Sequence, residues 1–169
     1  MTDAERALTL NVQAKDSAVA EAARSDIVTG HPEWNDDIKL AIKRGEVLAG
    51  MTRLQVQSAW GWDIYCRQFA GGHIIDRQCR ERWLYDRAPM LVMAYFVGDT
   101  FVTARAYDGA GTPVAIDSGT YGLRLPDTTA ATSQRGDDRL LHLALRIDPV
   151  WDADFQKWSA NQRRDAANR

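Results

Sequence analysis

The residues with the most chemical potential are two cysteines, three histidines and a few adjacent carboxylates. Cys66 and Cys79 flank Gly71-Gly72-His73, where a hairpin turn is expected. With Gly72-His73 as a two-residue turn, the two cysteines lie opposite each other and Trp62 meets Trp83. On the other face Asp63 meets Arg82 and Tyr65 meets Arg80. The cysteines then occupy a non-hydrogen-bonded position, where antiparallel side chains lie closest. A Cys66–Cys79 disulfide would contribute about 3 kcal/mol by loop-closure entropy and would point to an oxidising compartment. Two buried thiols in a reducing cytosol are the alternative.

The remaining reactive side chains do not assemble into a reaction. His31, His73 and His142 lack ligand spacing, and there is no Cys-x-x-Cys, so no metal site is expected. Ser118-Gly119 and Ser133 lack the strained turn that presents a nucleophilic serine. Asp36-Asp37 and Asp137-Asp138 are adjacent, so they do not face each other on a helix; caps and solvated loops explain them. Gly71-Gly72 has no phosphate-loop pattern. The expectation is a protein without catalytic residues, metal, cofactor or small-molecule substrate. One patch is a binding candidate. Tyr65, Arg67, Phe69, Arg80 and Arg82 share the outer face of the expected hairpin, and interleaved arginine and aromatics suit protein contact or base stacking. Neutralisation by Asp63, Asp76 and the C-terminal segment is the competing account.

The elements that position these residues are legible in part. Residues 1–30 are polar and alanine-rich; Val12 to Arg24 has helical potential but few apolar anchors, Val12, Val19 and Ala22 among them, and a weakly packed or disordered arm is the alternative. A helix is expected from about Trp34 to Lys43, capped by Asn35 or Asp36. Asp36 and Asp37 suit the positive end of its dipole, Lys43 and Arg44 the negative end. Ile38, Ala41 and Ile42 give it one apolar face, and Gly45 ends it. Thr52 and Gln55 have capping-box spacing at the start of a second helix, which Trp60-Gly61 closes. Strands follow over Trp62–Phe69 and Ile75–Tyr85. Met90 to Val97 is apolar throughout, as a central strand would be. Gly98-Asp99 turns it into Phe101–Tyr107, and Asp108 to Pro113 breaks regular structure. Further strands are expected at Tyr121–Leu125 and Leu140–Ile147, and a terminal helix at Trp151–Arg164. Trp34 and Trp60, at helix ends, are read as lids on the core.

The 169 residues can hold one domain with a real core. The net charge of −2 gives no global field toward nucleic acid or anionic membrane. No apolar run reaches membrane-spanning length, and no signal-peptide pattern is visible at the start. The expected organisation is a polar arm at 1–30, an α+β module at 31–107 with two short helices on an antiparallel sheet, and an extension at 108–169 ending in a helix.

His31-Pro32-Glu33-Trp34, Ile38, Ala41-Ile42, Gly45, Gly50-Met51-Thr52-x-x-Gln55-Val56, Trp60-Gly61 and Arg82-Trp83-x-Tyr85 together resemble the SmpA/OmlA (BamE-like) domain. The resemblance covers somewhat under half of the chain. It implies two helices on a three-stranded antiparallel sheet, a fold shared with β-lactamase inhibitor proteins. It also implies a small, non-catalytic binding module of the cell envelope; the family's name-giving member is a lipoprotein subunit of the outer-membrane β-barrel insertion machinery. The chain departs from that pattern in lacking a lipid-accepting cysteine near its start, in its N-terminal extension, and in the residues after 107. The function expected is protein–protein binding, with the periplasm or envelope as location if a signal peptide was removed. A cytoplasmic or phage-encoded structural or inhibitory protein reusing the fold is the alternative. Nucleic-acid binding through the arginine-rich hairpin is a third reading.

Overall fold

A computed structural model describes residues 3, 6, 17–61, 82–87 and 89–126. Among the described residues, three helices and an antiparallel sheet make an α+β arrangement: α1 Ser17–Thr29, α2 Asp36–Lys43, β1 Glu46–Val47, α3 Arg53–Trp60, β2 Arg82–Arg87, β3 Met90–Val97, β4 Thr100–Tyr107, β5 Pro113–Val114 and β6 Leu123–Arg124. The main sheet has the order β2-β3-β4-β5, and β1 pairs with β6 in a separate two-stranded ribbon. The expected Cys66–Cys79 pair, the strands before Arg82 and the elements after residue 126 lie outside the described residues.

The two helices expected after residue 31 form on their expected signals. Asn35 caps α2, its Oδ1 accepting from Ile38 N at 2.9 Å. Gly45 follows the helix at φ +68°, a left-handed value that L side chains resist, and its Cβ position is 3.0 Å from the Arg24 guanidinium. The capping box of α3 is complete. Gln55 N donates to Thr52 Oγ1 at 3.2 Å, and Thr52 N donates to Gln55 Oε1 at 2.9 Å. Gly61 stops the helix, its N–H donating to Gln57 O.

The helical potential of the polar arm is realised with shifted bounds. Its second half folds as α1 and runs on to Thr29. Ala20, Ala23 and Ile27, spaced along one helical face, seat it, and Val28 reaches the main core; Ile27 is fully buried, whereas Val19 is 37% exposed. Arg24 then reaches across the fold. Its Nε donates to Ala59 O at 2.9 Å, fastening α1 to the end of α3. Burial, and next the nearby Arg87 charge, hold the Arg24 pKa below the ordinary arginine value.

The continuous apolar run at Met90–Val97 is the central strand, between β2 and β4. It is buried on both faces. Val92, Ala94 and Phe96 belong to the core under the helices; Leu91, Met93 and Tyr95, on the alternate face, are fully buried too. Across the helix-facing side, Trp83 and Tyr85 of β2 register with Ala94 and Val92, which register with Ala104 and Ala106 of β4. Bulk on one edge and alanine on the other shape the bed on which α3 lies. An aromatic chain crosses it: Trp83 to Phe96 at 4.5 Å, Phe96 to Phe101 at 5.8 Å, Phe101 to Trp60 at 6.0 Å, and Trp60 to Tyr85 at 5.6 Å. The last three are edge-on, the arrangement that the ring quadrupole favours. Trp60 is 3% exposed, a core residue, with its Nε1 donating to Gly45 O. The expected strand at Tyr121–Leu125 shortens to Leu123–Arg124, because its partner β1 supplies only Glu46 and Val47.

Candidate functional site

Four of the five residues expected to form a binding patch, Tyr65, Arg67, Phe69 and Arg80, lie outside the described residues, as do Cys66 and Cys79. Arg82 opens β2. It alternates with the core residue Trp83, so it lies on the face away from the helices, across from Tyr95. That face is not open to solvent there: Arg82 is 7% exposed and Tyr95 is fully buried.

A more accessible feature lies where the β1–β6 ribbon meets the start of β4. An open groove of about 290 Å³ is lined by apolar residues of three segments, chiefly Val47 and Leu48, Phe101 and Val102, and Tyr121 and Leu123. Two devices hold these segments together. The first is a backbone joint. Gly50 N donates to Phe101 O at 2.8 Å, and Phe101 N donates to Met51 O at 2.7 Å. The Gly50-Met51-Thr52 motif therefore lies along β4 like a short extra strand, and Leu48 and Val102 both line the groove.

The second device is a buried carboxylate. Glu46 is 1% exposed, and its two oxygens accept from Thr120 N at 2.9 Å and Tyr121 N at 3.0 Å. The bonds draw the loop between Ser118 and Leu123 over the carboxylate. The approach is so close that a Cβ at Gly119 would overlap Glu46 Oε1, and one at Gly122 would overlap the Val47 carbonyl. Only glycine allows such contact. Arg44 secures the far side, its guanidinium 5.5 Å from the Tyr121 ring centroid and its Nη1 3.4 Å from Thr120 Oγ1.

The chemistry this groove can do is the burial of apolar side chains. No histidine, cysteine or carboxylate is among the residues that line it. Ser118 is at its edge, in a bridge with Leu123. Among the described residues, no three His, Cys, Asp or Glu side chains gather to hold a metal ion. No described helix is long and apolar enough to cross a membrane.

Sequence reasoning missed this site. Its framework needs Glu46 to meet a loop more than seventy residues later, and nothing in the local pattern of either segment announces the other. The one local signal was glycine density in Ser118-Gly119-Thr120-Tyr121-Gly122, which marks a turn without naming what the turn packs against.

No protein-family model, curated protein or solved structure matches this chain.

Proposed function

We propose that this chain is a non-enzymatic binding module that engages another protein through the groove between the β1–β6 ribbon and β4. The observation that carries the reading is the groove's construction: an apolar lining, open to solvent, held in shape by the Glu46 carboxylate and the Gly50–Phe101 joint. Such a surface gains free energy by excluding water from a partner's apolar side chains.

The SmpA/OmlA (BamE-like) resemblance of residues 31–107 supports the same class of function and directs it to the bacterial envelope. In that reading the helices and sheet are the frame, and the Gly50-Met51-Thr52 motif is structural. Nucleic-acid binding through the hairpin draws no support from Arg82, whose side chain is buried.

The test is affinity capture from bacterial envelope and cytosolic extracts with the wild-type chain and a Val102→Asp variant. Val102 lies at the sheet's bulge and is half-buried, so the variant should keep the fold, as circular dichroism would verify. A partner enriched from the envelope by the wild type and lost with Val102→Asp is the expected result. Equal capture by both chains removes the groove from the reading. Partners from the cytosol alone remove the envelope.

A further inference from the structure

The corner between α1 and α2 holds a histidine whose surroundings dictate its charge. Nδ1 of His31 is 2.7 Å from Glu33 Oε1, and Nε2 is in close contact with Asp3 Oδ2. Ionised carboxylates only accept hydrogen bonds. Both ring nitrogens must therefore donate, and a neutral imidazole has one N–H to give. Only the imidazolium form satisfies both contacts at once. The Trp34 indole lies parallel to the imidazole, with centroids 4.0 Å apart and planes 3° from parallel, and its π face is compatible with a charged ring.

The contact joins distant parts of the chain. Asp3 lies 28 positions before His31. Arg6 assists from the same side, with Nη1 3.4 Å from Asp26 O at the end of α1 and 3.8 Å from Asp3 Oδ1. From α2, Lys39 Nζ donates to Pro32 O at 3.0 Å. The charged groups that touch the ring are Asp3 from the N-terminal side and Glu33 from the corner itself; Arg6 reaches Asp3, and Lys39 from α2 lies near enough to Glu33 to act on its charge.

We propose that His31 is a proton-operated clasp, which holds Asp3 and Arg6 tightly against the α1–α2 corner while its ring is charged and loosens them when the ring is neutral. On losing its proton the ring can donate to only one of the two carboxylates. The other then faces a lone pair, and the surviving bond loses its charge assistance. Glu33, 62% exposed, can swing into water, but Asp3 is left on a weaker tether.

The direction in pH follows from the same contacts. Burial works against the charge on His31. The hydrogen bonds to Glu33 and Asp3, with their negative charges, outweigh it, so the pKa is raised above the ordinary histidine value. A raised folded-state pKa means that the clasp contributes in full below the ordinary histidine value and is lost as pH rises through the raised one. The device closes in mild acid and opens toward alkaline pH.

The experiment is an NMR titration of the full chain, reading the His31 Cε1 proton, identified by its absence in a His31→Gln variant. The expected midpoint lies above that of an ordinary histidine and falls in both Asp3→Asn and Glu33→Gln. Amide exchange at Arg6, corrected for its intrinsic pH dependence, should rise several-fold through the same midpoint. Exchange at Phe101, bonded to Met51 in the core joint, should stay constant. A midpoint at or below the ordinary value, a midpoint indifferent to Asp3→Asn, or Arg6 exchange that ignores the titration would each overturn the proposal.

Discussion

Two segments of this protein are fastened to strands by a pair of hydrogen bonds each, and the two fastenings differ in kind. The Gly50-Met51 segment is tied to Phe101 by backbone groups at both ends. The Thr120-Tyr121 segment is tied to Glu46 by a single side chain. The first joint spreads its dependence over main-chain geometry and a capping box next door, so no one side chain decides it. The second concentrates its dependence in one buried carboxylate and in the glycine that lets it approach. Substitutions should therefore fall unequally on two regions that shape the same groove.

The largest effect should come from Gly119→Ala. The new methyl would occupy the place of Glu46 Oε1, and Glu46 is too buried to swing clear at no cost. Either the loop lifts or the carboxylate leaves its two donors. Urea unfolding should show a loss of about 3 kcal/mol, the range of overpacking combined with a broken buried network. The comparison is sharpened by a double-mutant cycle with Glu46→Ala. If the clash with the carboxylate is the cause, Gly119→Ala should cost below about 1 kcal/mol in that background. Full additivity would place the damage in backbone conformation instead.

Glu46→Ala alone comes next. It leaves the N–H groups of Thr120 and Tyr121 without their acceptor, a loss of about 2 kcal/mol. Glu46→Gln keeps one acceptor oxygen but turns an amide donor toward the other N–H, so its effect should lie between alanine and wild type. The two values, read by chemical denaturation, would rank as Ala, Gln, wild type. Equal destabilisation by both variants would show that the charge, rather than the acceptor geometry, holds the loop.

The contrast between the joints also explains how much could be read in advance. The α+β class, the cap at Asn35, the capping box, the stops at Gly45 and Gly61 and the central strand at Met90–Val97 all depend on residues within a few positions of each other. Local chemistry decides them, and they are legible. The β1–β6 ribbon depends on Glu46 meeting Arg124 and Val47 meeting Leu123. Two-residue strands carry no periodicity, so that pairing left no trace in the sequence. The α1 helix was legible as helical potential, but its bounds and its seat were not. Its seat uses Ala20, Ala23, Ile27 and Val28, and the first two are small residues that a count of large apolar residues undervalues. For Arg82 the alternation with Trp83 correctly gives the face, yet alternation says nothing about whether that face meets solvent.

Thr52→Ala tests the sturdier joint. The substitution removes one N-cap acceptor, from Gln55 N, while the backbone pair between Gly50, Met51 and Phe101 survives. The expected loss is about 1 kcal/mol, the usual value for an N-cap. It should appear in the denaturation midpoint with no change in amide protection at Phe101. A loss as large as that of Gly119→Ala would mean that the backbone joint depends on the cap after all, and the distinction between the two fastenings would fail.

The smallest effect is expected where the same end of α3 meets solvent. The Arg53 side chain has four contacts there: Nη2 donates to Gly98 O at 2.8 Å, its guanidinium lies 4.4 Å from the Phe96 ring centroid and 5.4 Å from that of Trp83, and Nε is 3.9 Å from Asp99 Oδ1. The last is the weakest, since Asp99 is 69% exposed and water screens the pair. Burial, opposed by the Asp99 charge, sets the Arg53 pKa below the ordinary arginine value, so the aromatic bed dominates its surroundings. Asp99→Asn should therefore change stability by less than about 0.5 kcal/mol, and added salt should not enlarge the difference. Arg53→Met, which keeps the apolar stem over Trp83 and Phe96 but removes the bond to Gly98, should cost more than Asp99→Asn at any ionic strength. If the order reversed, the ion pair rather than the aromatic stack and the carbonyl bond would be what anchors α3 to the β3–β4 turn.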